Sequence, residues 1–453
     1  MISVFRNLSK ILIVLNKSTI NCKLSYNEMS YLKKIFLLLL LWVGSPFILF
    51  AQRTPKLARV EPFGFHFKKS YQHYAKVPFE SHANLIVVKV NIDKSDTLRF
   101  ILDTGVSSTI ITDPQIAKKM GLVYSRSVKI SGAGEGQALS AAISLNHTLQ
   151  MGDVRAVQQN LVVINEDFLH LSEFLGIPVH GIFGHDIFSA FVVTIDWENK
   201  SLYLYEPSKF KYKKAKGEKY PIVITQSKPY TDAFAMVNND KNIPMRLVID
   251  TGAGHALLLN SDKNQPIQLP QKVIRANLGR GLNGDINGMI GRVDELKLGS
   301  IELKNIIASF PDSLSFSMKF PPDTLSRQGS IGCELLRRFK VTFNYHDGYM
   351  VLKPIRDKMK ESFEHDMSGM EIKAKGQAFN QYVVDRVTAD SPADKAGIKE
   401  QDELIFINNQ HVRELTISEI YRLLARKEGK EIELFFRRKG ELKFAYFNLK
   451  RMI

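Results

Sequence analysis

Twice in this 453-residue chain an apolar run ends on an aspartate followed by threonine and glycine, at Phe100-Ile101-Leu102-Asp103-Thr104-Gly105 and at Leu247-Val248-Ile249-Asp250-Thr251-Gly252. Each triplet sets a carboxylate at a tight turn, where Gly105 or Gly252 lets the backbone fold back and the Thr104 or Thr251 hydroxyl can bond a neighbouring backbone group. One such triplet is an ordinary turn. Two, if brought together, place Asp103 beside Asp250. Adjacent carboxylates cannot both ionise cheaply, so they share a proton and their titration belongs to the pair. A dyad of this kind suits hydrolysis of an amide by water: the ionised carboxylate takes a proton from the water while its protonated partner polarises the carbonyl. That chemistry calls for no metal and no organic cofactor. The bland alternative is a pair of structural turns in a duplicated protein that binds peptides without cutting them.

The triplets belong to a larger duplication. They lie 147 residues apart, and the glycine-rich stretch Gly132-Ala133-Gly134-Glu135-Gly136 recurs at the same offset as Gly279-Arg280-Gly281-Leu282-Asn283-Gly284. Gly181-Ile182-Phe183-Gly184 matches Gly329-Ser330-Ile331-Gly332 at an offset of 148, and Phe191 and Phe339 keep that spacing. Landmarks in one order at a nearly fixed separation mean two copies of one domain. Each copy reads as mainly β: segments 85–92 and 191–195 in the first, and 234–237 and 341–345 in the second, are rich in β-branched and aromatic residues and bounded by polar turns. A pseudo-two-fold assembly of the copies would bring Asp103 and Asp250 to its axis. Between them, residues 209–220 form a basic, solvated linker.

With these residues in place, the region from about 80 to 355 resembles the aspartic peptidases of the pepsin and retroviral protease superfamily. Their lobes each carry an apolar-apolar-Asp-Thr-Gly loop and a later apolar-apolar-Gly strand. The resemblance implies two pseudo-symmetric β-barrel lobes, residues 80–208 and 221–355, with residues 53–79 as a separate N-terminal segment. It implies that Asp103 and Asp250 are the catalytic pair, that Thr104 and Thr251, with Gly105 and Gly252, support the loops beneath it, and that extended polypeptides are the substrates. It also makes the stretches around Gly132, Gly134, Gly279 and Gly281 flap candidates, although neither offers the tyrosine of the pepsin flap. Val106 follows the first triplet where many relatives have Ser or Ala, whereas the second is followed by Ala253.

Past Pro354 a new pattern begins. A strand at 382–387 precedes Ser391-Pro392-Ala393-Asp394-Lys395-Ala396-Gly397-Ile398, in which Ser391 caps a short helix with Pro392 at its first position. Asp402-Glu403-Leu404-Ile405-Phe406-Ile407-Asn408 and a helix near 417–425 follow. Residues 366–453 thereby resemble a PDZ domain, a small α+β module. The resemblance implies that a peptide adds as a strand and that its terminal carboxylate, from a peptide or protein C-terminus, meets the backbone amides of Ser368, Gly369, Met370 and Glu371.

Composition narrows the remaining classes. Apolar residues make up 44% and charged residues 24%, which is ordinary for a globular chain. The net charge of +16 is spread along the sequence without a nucleic-acid-binding motif, so no nucleic-acid partner is expected. The apolar stretch from Ile35 to Ala51, preceded by Lys33-Lys34 and broken by Gly44-Ser45-Pro46, reads as a secretory signal within residues 1–52, and no stable membrane span is expected after its cleavage. Export to a periplasm, a cell surface or the medium follows. Cys22 would leave with that signal and Cys333 reads as a core thiol, so no disulfide is expected in the mature chain. No HExxH pairing supports a zinc protease. His185 and His255 read as ordinary loop or strand-end residues.

Overall fold

The computed structural model describes residues 62–238, 242–261, 267–312 and 327–453. The signal-peptide reading and Cys22 fall outside them. Among the described residues, no helix is long and apolar enough to cross a membrane.

The duplication is visible strand by strand. In lobe 1, Leu85–Ile92 pairs with Leu98–Leu102, which runs parallel to Gly181–Phe183; that strand pairs with Thr109–Ile111, which runs parallel to Val154–Ile164. Val154–Ile164 pairs with Leu139–Met151, and Leu139–Met151 returns to Leu85–Ile92, closing a six-stranded barrel. Lobe 2 repeats the circuit through Lys228–Met236, Ile243–Ile249, Gly329–Ile331, Leu257–Leu259, Ile301–Pro311 and Gly284–Leu298. Even the first hairpin turns agree: Ala83 and Asn84 have φ of 46° and 67°, Gln226 and Ser227 50° and 66°. Two successive left-handed residues match the strands' own twist and fix the register of each hairpin.

Between the barrels, six antiparallel strands run from Glu218–Pro221 through Tyr349–Pro354, Phe339–Asn344, Val192–Asp196 and Ser201–Tyr205 to Tyr74–His82. The symmetry axis passes between the middle two strands, where Thr194 faces Thr342 with their hydroxyls 2.7 Å apart. One hydrophobic core runs through both lobes, from Phe100, Leu102 and Phe183 to Leu247, Ile249 and Phe339. Lobe 1 begins earlier than the sequence boundary at 80: Gly64–Phe67 pairs with Val154–Ile164, and Tyr74–His82 is an edge of the shared sheet. The basic linker is likewise shorter, because Glu218–Pro221 already pairs into that sheet.

The C-terminal domain has its own core around Ile372, Val384, Leu404, Ile420 and Leu434. Its sheet runs Met370–Lys375, Gln381–Val387, Glu403–Ile407, Glu431–Arg438, Glu441–Asn448, which leaves Met370–Lys375 at an edge. The helix Ile417–Leu424 flanks it, started by a capping box in which Thr416 and Glu419 satisfy each other's backbone amides.

Candidate active site

Each triplet sits where an apolar strand leaves its barrel. Asp103 N–H donates to Phe183 O and Asp250 N–H to Ile331 O, both at 2.9 Å, so each loop hangs from the later strand of its own lobe. The threonines then cross the interface. Thr104 N–H donates to Thr251 Oγ1 and Thr251 N–H to Thr104 Oγ1, each at 3.0 Å. Thr104 Oγ1 donates to Ile249 O at 2.6 Å and Thr251 Oγ1 to Leu102 O at 2.9 Å. Both threonines are fully buried. The four bonds lock the loops to each other.

The carboxyls are thereby brought together. Gly105 N–H donates to Asp103 Oδ1 at 2.6 Å and Gly252 N–H to Asp250 Oδ1 at 3.0 Å. A Cβ at residue 252 would lie 2.2 Å from Asp103 Cγ, so only glycine leaves room for the opposing carboxyl. Burial, the neighbouring Asp250 charge and a hydrogen bond with Asp250 push the Asp103 carboxyl up to about 8, against the pull of the Gly105 amide and the Lys228 charge. Both aspartates line a cavity of about 1860 Å³ that runs between the lobes and on to the C-terminal domain.

The flap candidates meet above this cavity, and a residue that the sequence did not single out joins them. Asn283 is buried at the tip between Val273–Gly281 and Gly284–Leu298. Its Oδ1 accepts from Gly132 N–H at 2.5 Å, its Nδ2 donates to Gly136 O at 3.1 Å, and its own N–H donates to Ala133 O at 2.8 Å. Gly132, Gly279 and Gly281 line the cavity; Gly134 packs against the Asn283–Gly284 backbone instead.

The repeat departs from symmetry beside the pair. Where ladder register places Leu85, Val179 and Ile182 in a small apolar cluster of lobe 1, lobe 2 carries Lys228, Arg327 and Ser330, all lining the cavity. Nothing in either triplet signals those cations. His255 also lines the cavity, hydrogen-bonded through Nε2 to Ser330 Oγ at 3.2 Å, and burial pulls it down to about 4. His185 bonds Ser189 Oγ and the Ser227 carbonyl, a structural tie between the lobes. Cys333 is buried and donates to Thr251 O at 3.2 Å, beneath the second loop.

In the C-terminal domain, Ser368, Gly369, Met370 and Glu371 lead into and begin the edge strand, and the amides of the first three are engaged. Asp366 accepts from Ser368 N–H at 3.1 Å and Gly369 N–H at 2.5 Å, and Met370 N–H donates to Ser368 Oγ at 3.1 Å.

Comparison with known proteins agrees with this architecture. Residues 88–187 and 235–335, one stretch per lobe, match the aspartyl protease family model, and residues 383–438 match that of the PDZ domain. At family level the two lobes are similar to an aspartyl protease and the last domain is a PDZ domain. No curated protein matches the sequence. Among solved structures, a photosystem II D1 C-terminal processing protease is similar over 19% of this chain and 23% of its own, less than a quarter of that protein, at 20% identity and a TM-score of 0.18.

Proposed function

We propose that the protein is an exported aspartic endopeptidase that hydrolyses peptide bonds of extended polypeptides through water activated by Asp103 and Asp250. The observation that carries this reading is the pairing of the two carboxyls at the base of an interlobe cavity, with burial and mutual repulsion holding the proton on Asp103. One proton shared across the pair leaves one carboxylate to accept a proton from water and one acid to donate to the carbonyl oxygen. Gly105 and Gly252 amides fix the orientation of both carboxyls. The Lys228 charge favours the ionised form of Asp103 and so opposes burial and the Asp250 charge in holding its proton. The flaps held by Asn283 cover the substrate, and the PDZ domain positions polypeptide beside the cleft. Export rests on the apolar stretch from Ile35 to Ala51 and leads to a periplasm, a cell surface or the medium.

The test is incubation of the protein with an unfolded peptide library from acid to neutral pH, beside the Asp250→Asn variant, with new termini read by mass spectrometry. Cuts by the wild type alone are expected. A folded wild type that makes none would return the chain to the reading of a peptide-binding scaffold.

A further inference from the structure

A PDZ groove receives two things from a peptide: a terminal carboxylate in a nest of backbone amides, and a backbone whose N–H and C=O groups pair with the edge strand. In this protein both places are filled by the chain. The Asp366 carboxylate sits on the Ser368 and Gly369 amides and also accepts from Ser368 Oγ at 2.7 Å. Gly369 has φ of 82°, and a Cβ there would lie 2.2 Å from Ser391 Cβ, so the loop is held in a shape that only glycine allows. Along the edge strand, the Tyr421 hydroxyl accepts from Ile372 N–H at 2.7 Å and donates to Ile372 O at 3.1 Å. One side chain thus meets both groups that an added strand would use there.

The groove is covered as well. The short lobe 1 helix Leu171–Leu175 packs on Met370–Lys375. Gly176 at its end lies between groove walls: a Cβ there would be 3.2 Å from Ile417 Cγ2 on the helix and 3.8 Å from Ala374 Cβ on the strand. Ala83 N–H, in the first hairpin turn, donates to Ser418 Oγ at 3.1 Å. From lobe 2, the Asn277 amide donates to the Glu371 carboxyl, and Asp285 pairs with Arg386 at 3.5 Å. Both flap-bearing lobes therefore hold the domain with its groove facing the cleft.

We propose that the PDZ groove is latched by the chain itself. Asp366 takes the place of a ligand's terminal carboxylate, Tyr421 takes the place of its backbone, and lobe 1 closes the opening. A peptide with a free C-terminus enters only by displacing these groups and lifting the domain from the cleft wall. The latch rests on the peptide-binding reading of the domain and regulates access to the cleft proposed above.

The experiment uses the full chain carrying Asp250→Asn, titrated by fluorescence anisotropy with a fluorescein-labelled pool of heptapeptides ending in a free apolar residue, beside the same pool with amidated C-termini. Adding Tyr421→Phe frees both Ile372 groups and is expected to tighten binding of the free-acid pool about tenfold, the worth of one to two hydrogen bonds. Asp366→Asn is expected to act in the same direction on the free-acid pool and to leave the amidated pool unchanged, whereas Tyr421→Phe, which frees backbone groups, tightens both pools. Equal binding of the free-acid pool with and without Tyr421→Phe, in chains with the same near-ultraviolet circular dichroism, overturns the latch. The readout is binding, so it stands apart from whether Asp103 and Asp250 cut.

Discussion

Replacing Thr104 with valine keeps the shape of the side chain and removes its hydroxyl. In the folded protein that hydroxyl donates to Ile249 O and accepts from Thr251 N–H, with no exposed surface at either threonine. Valine would leave one buried carbonyl and one buried amide without those partners, at about 1–3 kcal/mol each, or about 2–6 kcal/mol together. Thr104→Ser is the control, since it keeps the hydroxyl and loses one methyl group, worth about 1 kcal/mol. In residues 62–453 Trp197 is the single tryptophan, it belongs to the core shared by the lobes, and the PDZ core contains none. Urea unfolding followed by its fluorescence therefore reads the lobes apart from the PDZ domain. Thr104→Val should fall well below Thr104→Ser, and Thr104→Val combined with Thr251→Val should cost more than either change alone, because each removes two of the four bonds and none is shared between them. A valine variant within about 0.5 kcal/mol of wild type, or a serine variant as damaged as valine, would refute the view that these bonds join the lobes.

Three further outcomes follow from the site. Asp103 holds its proton more tightly folded than unfolded, so the folded state takes up a proton; this contribution is fully present below the ordinary carboxylate range and is lost as pH rises toward about 8. Thermal midpoints of the wild type should fall across that window, and the fall should shrink in Asp103→Asn; an unchanged slope would remove the raised pair from the account. Lys228→Met removes a charge that favours ionisation of Asp103, so the alkaline limb of the cleavage profile should move to higher pH, and a move to lower pH would contradict the sign. Asn283→Ala breaks the bonds to Gly132 N–H and Gly136 O, which should speed exchange of the Gly132 amide about tenfold or more in hydrogen-exchange mass spectrometry, given the usual worth of such bonds. Unchanged protection would mean that the flaps are held by other contacts.

How much of this was legible depended on whether a feature repeats. The triplets, the glycine-rich stretches and the Gly181 and Gly329 strands each occur twice, and their fixed offset carried the two lobes and the juxtaposition of Asp103 with Asp250. Features present in one copy left no such trace. Lys228 and Arg327 replace apolar residues of lobe 1 and look like surface charges until the ladder register sets them by the cavity. Asn283 reads as a turn residue because its partners lie some 150 positions away, at Gly132 and Gly136. Strand Tyr74–His82 does alternate, but its first half pairs into the shared sheet and its second half with barrel strand Leu85–Ile92, so a boundary drawn from the repeat alone fell inside it. In the PDZ domain the sequence points to the loop Ser368–Glu371, yet its engagement by Asp366 depends on a carboxylate two residues upstream whose orientation no spacing rule fixes.

The hydrogen bonds that orient the carboxyls and those that join the lobes belong to one network. Neither lobe satisfies its own triplet: Leu102 O and Thr104 N–H are met by Thr251, and Ile249 O and Thr251 N–H are met by Thr104. A single lobe would expose these groups along with half of a core that runs continuously through both. Splitting the pair of carboxyls would also remove the repulsion and shared hydrogen bond that, after burial, hold the Asp103 proton. Assembly and protonation are therefore coupled: a change that loosens the threonine bonds should lower the affinity of Asp103 for its proton even when both aspartates remain. The PDZ domain adds to the same closure from outside, because Ala83 and Asn277, which hold it, lie on the first hairpin of lobe 1 and the flap strand of lobe 2. Lifting that domain would free the two elements that border the cleft on either side of the pair.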